Sequence, residues 1–142
     1  MICLSDNSKS LSIKENSFHR NFEKKIDPYD YFDVDISLVS DRFTGCISNV
    51  EFYVHEINEM IESLKKIIKN EISEFNLSIS CGVFIIKFKK PEEYSSYDAY
   101  FEMKPSDGSL FVLQGKLDIT NECIVEILND LKYFIDSYCF VE

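Results

Sequence analysis

Apolar and polar residues alternate along several short segments of the chain, and this alternation predicts β-strands. The clearest segment is 31–38, in which every second residue is apolar. Side chains of a strand point alternately to the two faces of a sheet, so one face of this strand should be buried and the other exposed. A second alternating segment, 47–54, follows a turn-like stretch that ends in Gly45. We expect the two segments to pair as a hairpin.

Two longer segments have apolar residues at helical spacing. In residues 55–70 the apolar positions form one stripe, and the polar face has glutamates early and lysines late, as the helix dipole favours. Residues 121–138 show a similar stripe, and Thr120 or Asn121 can cap its start. Further alternating segments are 77–81, 83–90, 97–104 and 110–119. The order β-β-α-β-β-β-β-α predicts an α+β fold, with a mainly antiparallel sheet of about six strands covered by two amphipathic helices.

Length and composition predict a single domain over residues 1–142. The chain is 45% hydrophobic, with 12 Phe and 8 Tyr but only 4 Gly and 3 Pro, so it can bury a core. Residues 1–26 are weakly patterned, with at most a short edge strand near residues 11–14. The N-terminus lacks the pattern of a secretory leader, and the longest apolar run is too short to cross a bilayer. We therefore expect a cytoplasmic protein.

The charge of the chain is divided into blocks. The net charge is −10, from 25 acidic and 15 basic residues. Residues 26–62 and 91–142 each sum to −8, whereas 1–25 sum to +2 and 63–90 to +4. Nucleic acid and anionic membranes favour the opposite sign. The charge pattern thus predicts a basic protein partner, with neither nucleic acid nor membrane bound.

Residues that carry chemistry are few in this sequence. It contains no glycine-rich phosphate loop, no nucleophile elbow and no zinc-ligand spacing, so we expect no cofactor, no metal and no catalytic residue. Its five cysteines form no C-x-x-C pair, and we expect reduced thiols. Two arrangements leave a small hydrolase open as an alternative. They are the carboxylates Asp33 and Asp35 on one strand face, and the thiol of Cys46 with His55.

Tyrosines beside carboxylates favour a protein interface. A tyrosine ring is rigid and amphipathic, and carboxylates anchor basic side chains. Such residues fall on the polar faces of the predicted strands or in the loop after residue 90. The predicted partner-binding residues are Tyr31, Asp33, Asp35, Glu51, Tyr53, Glu92, Glu93, Asp98, Tyr100 and Glu102.

The succession of strand, F-x-G turn, strand and helix resembles the core of the WapI-like bacterial immunity proteins. The residues that carry this resemblance are Phe32-Asp33-Val34-Asp35-Ile36, Phe43-Thr44-Gly45, Val50-Glu51-Phe52-Tyr53-Val54 and the helix positions Ile57, Met60, Ile61 and Leu64. The stretch Leu113-Gln114-Gly115-Lys116-Leu117 before the last helix is similar too. The resemblance implies a non-enzymatic cytoplasmic protein that neutralises one cognate toxin domain.

Together with the charge pattern, this resemblance predicts that the toxin docks on an acidic surface. The alternatives are a structural or adaptor domain of unknown partner and the small hydrolase.

Overall fold

Two four-stranded antiparallel sheets, each followed by one helix, form the fold in a computed structural model of the chain. The structure describes residues 1–20, 27–41, 43–80, 82–90, 96–104 and 112–139. The first half consists of β1 (Ile2–Ser5), β2 (Lys9–His19), β3 (Tyr31–Ser40), β4 (Thr44–Tyr53) and α1 (Val54–Ile68). The second half consists of β5 (Glu74–Ile79), β6 (Phe84–Lys89), β7 (Tyr97–Met103), β8 (Leu113–Ile119) and α2 (Asn121–Cys139). Within each sheet the strands lie in chain order, so the order ββββα occurs twice.

The predicted α+β class, the antiparallel pairing and both amphipathic helices are confirmed. The prediction of about six strands in one sheet is wrong, because the described residues form eight strands in two sheets. Most of the difference lies in the weakly patterned N-terminal segment, where β1 pairs with β2 and β2 pairs with β3. A strand of four residues buries only two side chains on one face, here Ile2 and Leu4. Two apolar residues are too few to reveal a strand by periodicity.

The apolar faces of both sheets and the apolar stripes of both helices meet in one core. Phe32, Val34 and Ile36 of β3 are completely buried, as the alternation predicts. Helix α1 packs against α2 and against β5, and α2 packs against β1. Each helix therefore touches the first strand of the other half, and the two halves share their core. None of the helices in the described ranges is long and apolar enough to cross a membrane.

Two carboxylates join the halves by accepting backbone hydrogen bonds. Glu56, in the first turn of α1, is 6% exposed. Its Oε1 accepts the N–H of Tyr53 at 3.0 Å, and its Oε2 accepts the N–H of Ser80, in the turn after β5, at 3.1 Å. Asp6, between β1 and β2, accepts the N–H of Asp118 in β8 at 3.3 Å. Polar groups thus fix the relative positions of elements that apolar contacts alone would allow to slide.

Candidate functional site

The second sheet turns one face away from the core, and its side chains form rows across the four strands. One row consists of Asn76, Lys87, Tyr100 and Lys116, one residue from each strand. We refer to it as the Tyr100 row. The next row consists of Ser78, Ile85, Glu102 and Gln114.

The Tyr100 row places an exposed aromatic ring between two lysines of the neighbouring strands. The side chain of Tyr100 is 41% exposed. The Nζ atom of Lys116 lies 5.9 Å from the centroid of its ring, which is within the range of a cation–π contact. Lys87 is the cross-strand partner of Tyr100 on its other side. The Nζ atom of Lys87 also lies 3.7 Å from Oε2 of Glu74. An exposed ring with a lysine on each side can accept a flat ligand that carries anionic groups.

A depression of about 520 Å³ lies on this face, in the size range of small-molecule sites. Its lining has two aromatic, one aliphatic, two amide and two charged residues, together with one glycine. The residues that line it are Asn76, Ile85, Lys87, Tyr100, Phe101, Glu102, Gln114 and Gly115.

Lysines neutralise the carboxylates of β7. The Nζ atom of Lys116 lies 3.2 Å from Oδ1 of Asp98 and 3.4 Å from Oδ1 of Asp118. Hydrogen bonds to these two carboxylates raise the pKa of Lys116. A hydrogen bond from Lys104, at 2.9 Å, lowers the pKa of Glu102. The outer face of the second sheet is therefore a surface of paired charges and not an acidic one.

The first sheet carries a different surface, an uninterrupted series of ring contacts that we call the ring ladder. It consists of His19, Tyr31, Tyr53 and His55. Centroids of His19 and Tyr31 are 4.8 Å apart, those of Tyr31 and Tyr53 5.5 Å, and those of Tyr53 and His55 5.7 Å. Such cross-strand aromatic contacts stabilise a sheet whether or not a ligand binds there.

Carboxylates lie along the ring ladder. The Nε2 atom of His19 is 3.7 Å from Oδ2 of Asp33. The hydroxyl of Tyr53 donates to Oε2 of Glu51 at 2.5 Å, and this hydrogen bond raises the pKa of Tyr53 to about 12. Half of the predicted partner-binding residues therefore lie together on the first sheet.

Three more of the predicted partner-binding residues, Asp98, Tyr100 and Glu102, lie on the outer face of the second sheet. Glu92 and Glu93 fall outside the described residues. The predicted set is thus divided between two sheets.

The structure does not bring the residues of the hydrolase alternatives, Cys46 with His55 and Asp33 with Asp35, together as a catalytic site. Cys46 lies near the start of β4 and Tyr53 at its end, seven residues or about 23 Å apart at the usual rise per residue. His55 comes two residues after Tyr53, so its ring lies far from the thiol of Cys46. The thiol of Cys46 accepts a hydrogen bond from Ser37 at 3.4 Å. Asp35 accepts the N–H of Asn49 at 3.2 Å, so one carboxylate of the Asp33 and Asp35 pair holds the backbone of the neighbouring strand.

Sequence reasoning missed the lysine and amide members of the Tyr100 row. In the sequence, Lys87 lies only in the block of residues 63–90 with a net charge of +4, and Asn76 gives no functional signal. Gln114 and Lys116 appear only in the stretch before the last helix that contributes to the family resemblance. Each is one outward residue of an alternating strand. Only the register between strands brings them to the same tyrosine, and register across a loop cannot be read from one sequence.

Two antiparallel sheets in sequential order with a helix after each define the class of α+β fold. Comparison with solved structures finds proteins of similar fold. No protein-family model and no curated protein matches the sequence. The structure of the plant transcriptional regulator PBF-2 is similar with a TM-score of 0.53 and 9% sequence identity, over 96% of this chain and 80% of that chain. The crystal structure of WHY3 from Arabidopsis thaliana gives a TM-score of 0.48 and 8% identity, over 98% of this chain and 87% of that chain. At these identities the likeness concerns the fold alone.

This likeness corrects the expectation about partners. A transcriptional regulator has this fold, so the exclusion of nucleic acid, and the basic protein partner expected in its place, are wrong. The physical reason is visible in the second sheet. Nucleic acid was excluded from charges summed along the sequence. In the structure the carboxylates of β7 are paired with lysines, Glu102 with Lys104 just after β7 and Asp98 with Lys116 in β8.

Proposed function

We propose that the chain is a non-enzymatic protein that binds single-stranded nucleic acid on the outer face of its second sheet. The observation that carries this proposal is the exposed ring of Tyr100 between Lys87 and Lys116. Proteins that bind single strands stack bases on exposed rings and pair phosphates with neighbouring cations. The fold shared with a plant transcriptional regulator supports the same function.

The ring ladder is the weaker candidate for this ligand. Its rings stack on one another, so their faces are partly occupied. Asp33 and Glu51 stand beside them without a lysine partner within the described contacts, and carboxylates repel phosphates. On the second sheet the carboxylates near the ring are paired with lysines: Glu74 with Lys87 at 3.7 Å, and Asp98 and Asp118 with Lys116. Their repulsion of a phosphate is therefore offset by a neighbouring ammonium group. We therefore place the ligand on the Tyr100 row.

The test is a titration of fluorescently labelled single-stranded oligonucleotides, measured by anisotropy. Replacing Tyr100 with alanine removes the stacking surface, which is worth about 1–3 kcal/mol per base. The dissociation constant should rise about 5- to 150-fold. Tyr100→Phe keeps the ring and should keep most of the affinity.

The matched control is Tyr31→Ala, which removes a ring from the first sheet. It should leave the affinity unchanged. Equal losses in Tyr100→Ala and Tyr31→Ala would show that the Tyr100 row is not the binding surface. Failure of the wild-type protein to bind any oligonucleotide would refute the proposed function.

A second candidate function is immunity against a cognate toxin domain. One specific observation favours it: five of the residues expected at an interface lie together on the outer face of the first sheet. They are Tyr31, Asp33, Asp35, Glu51 and Tyr53. They belong to the β3–β4–α1 segment, which carries the resemblance to WapI-like immunity proteins. In this role the ring ladder would bind the toxin and block its active site.

Co-expression with the neighbouring open reading frame tests the second candidate. Growth arrest by that neighbour, and rescue by this chain, would support immunity. The variant Tyr53→Ala should then lose rescue, whereas Tyr100→Ala should keep it. Toxicity without rescue would remove this candidate and leave the nucleic-acid proposal standing.

A further inference from the structure

The depression beside Tyr100 contains a carboxylate that can read the edge of a base. We propose that one guanine base enters this depression, stacks on Tyr100 and donates its N1–H and N2–H groups to Glu102. This inference rests on the proposed function, because it concerns the same face of the second sheet. It adds a preference for one base to a surface that would otherwise bind any single strand.

Position and hydrogen bonding make Glu102 available as an acceptor. It lies in the row next to the Tyr100 row, and its side chain is 25% exposed. Its Oε1 accepts from Lys104 at 2.9 Å, and its carboxylate also accepts from Gln114. A carboxylate has about four lone-pair positions, so two remain for a ligand.

The edges of the bases differ in how they fit a carboxylate. Guanine presents two adjacent N–H donors, which match the two oxygens of one carboxylate. Adenine and cytosine present one amino group beside an acceptor nitrogen, and thymine presents one donor between two oxygens. An acceptor-only group such as Glu102 therefore favours guanine. Ile85, in the same depression, offers an apolar wall for the base.

The experiment uses labelled thymidine oligomers of about twelve nucleotides, within the usual footprint of single-strand binders. The central nucleotide is deoxyguanosine, deoxyinosine, deoxyadenosine or thymidine. Deoxyinosine lacks only the N2 amino group of guanine. A matched bidentate contact discriminates by about 1–3 kcal/mol, so the guanine oligomer should bind at least about fivefold more tightly than the inosine oligomer.

Two variants separate base reading from general charge. Glu102→Gln should abolish the preference for guanine over inosine and keep binding to the all-thymidine oligomer. Asp98→Asn removes a charge from the same strand and face, but Asp98 does not line the depression. It should strengthen binding to all four oligomers equally and keep the preference.

The preference for guanine and the binding of single strands can be refuted separately. If wild-type protein binds all four oligomers equally, guanine reading is wrong and single-strand binding stands. A preference for guanine that survives Glu102→Gln would also overturn the inference. If no oligomer binds, the proposed function itself is wrong.

Discussion

Glu56 offers a direct test of how the two halves are joined. Replacing it with alanine removes the acceptor of two backbone N–H groups, those of Tyr53 and Ser80. The first belongs to the start of α1 and the second to the turn after β5. Ser80 has a positive φ of 53°, a conformation that L-residues adopt only when their surroundings hold it. The substitution should therefore loosen both the helix start and this turn.

The expected loss follows from the two orphaned donors. A buried donor left without a partner costs about 1–3 kcal/mol. Both N–H groups are only partly buried, so water can replace some of the lost bonding and the lower value applies to each. We expect Glu56→Ala to lower the free energy of unfolding by about 2 kcal/mol, and the melting temperature by about 6 °C for a domain of this size. Glu56→Gln keeps one acceptor and should lose about 1 kcal/mol.

Urea unfolding at several pH values measures these losses. Burial raises the pKa of Glu56 above 4.5, although its two N–H partners oppose the shift. The folded state then binds more protons than the unfolded state, so this group's contribution to stability falls as pH rises through the raised pKa. The difference in free energy of unfolding between wild type and Glu56→Gln should thus be larger at acid pH than at neutral pH.

The control for Glu56 is Glu59→Ala, on the exposed face of the same helix. It should change stability by no more than about 0.5 kcal/mol. Equal effects of Glu56→Ala and Glu59→Ala would refute the reasoning, because they would show that the buried hydrogen bonds do not join the halves.

Three further predictions concern single positions. A Cβ at Gly115 would overlap the buried ring of Phe101, so Gly115→Ala should cost about 1–3 kcal/mol in urea unfolding. Although burial favours its protonated form, hydrogen bonds from backbone N–H groups hold the pKa of Asp6 below 3.8. Asp6 therefore stabilises the folded state above that value, and this stabilisation is lost as pH falls through the folded pKa. The loss in free energy of unfolding caused by Asp6→Ala at neutral pH should thus become smaller in acid. Spectrophotometric titration should show the phenol of Tyr53 ionising near pH 12, and Glu51→Gln should lower its pKa, because the hydrogen bond to Glu51 is the largest cause of the shift.

The elements that the sequence predicts well are those with strict periodicity over many residues. Strand β3 alternates from Tyr31 to Leu38, and α1 has a continuous apolar stripe over fifteen residues, whereas β4 alternates between buried and half-buried positions only from Val50 to Tyr53. Strand β1 fails this criterion because it is four residues long. The division into two sheets fails for another reason. A helix between two groups of strands is compatible with one sheet or with two, and only the pairing of the strands, β1 to β4 in one sheet and β5 to β8 in the other, decides between them.

The candidate site was only partly predictable for a related reason. Outward positions on β7 follow from alternation, so Tyr100 and Glu102 could be placed on one face. Their neighbours could not, because Lys87 is 13 positions before Tyr100 and Lys116 is 16 positions after it. The sign of the surrounding charge depends on those neighbours. It was therefore the least accessible property of the site.

The net charge of −10 still acts on this face, but its effect depends on distance. At physiological salt the screening length is about 8 Å, whereas adjacent strands lie about 4.8 Å apart. A phosphate at the Tyr100 row would thus respond mainly to the paired charges of the second sheet, and only weakly to the acids of α2 or of the first sheet. In those pairs Lys87 is bound to Glu74, and Lys116 to Asp98 and Asp118. An acidic chain can in this way present a surface for an anionic ligand, provided that the register of its strands gathers lysines that are distant in sequence.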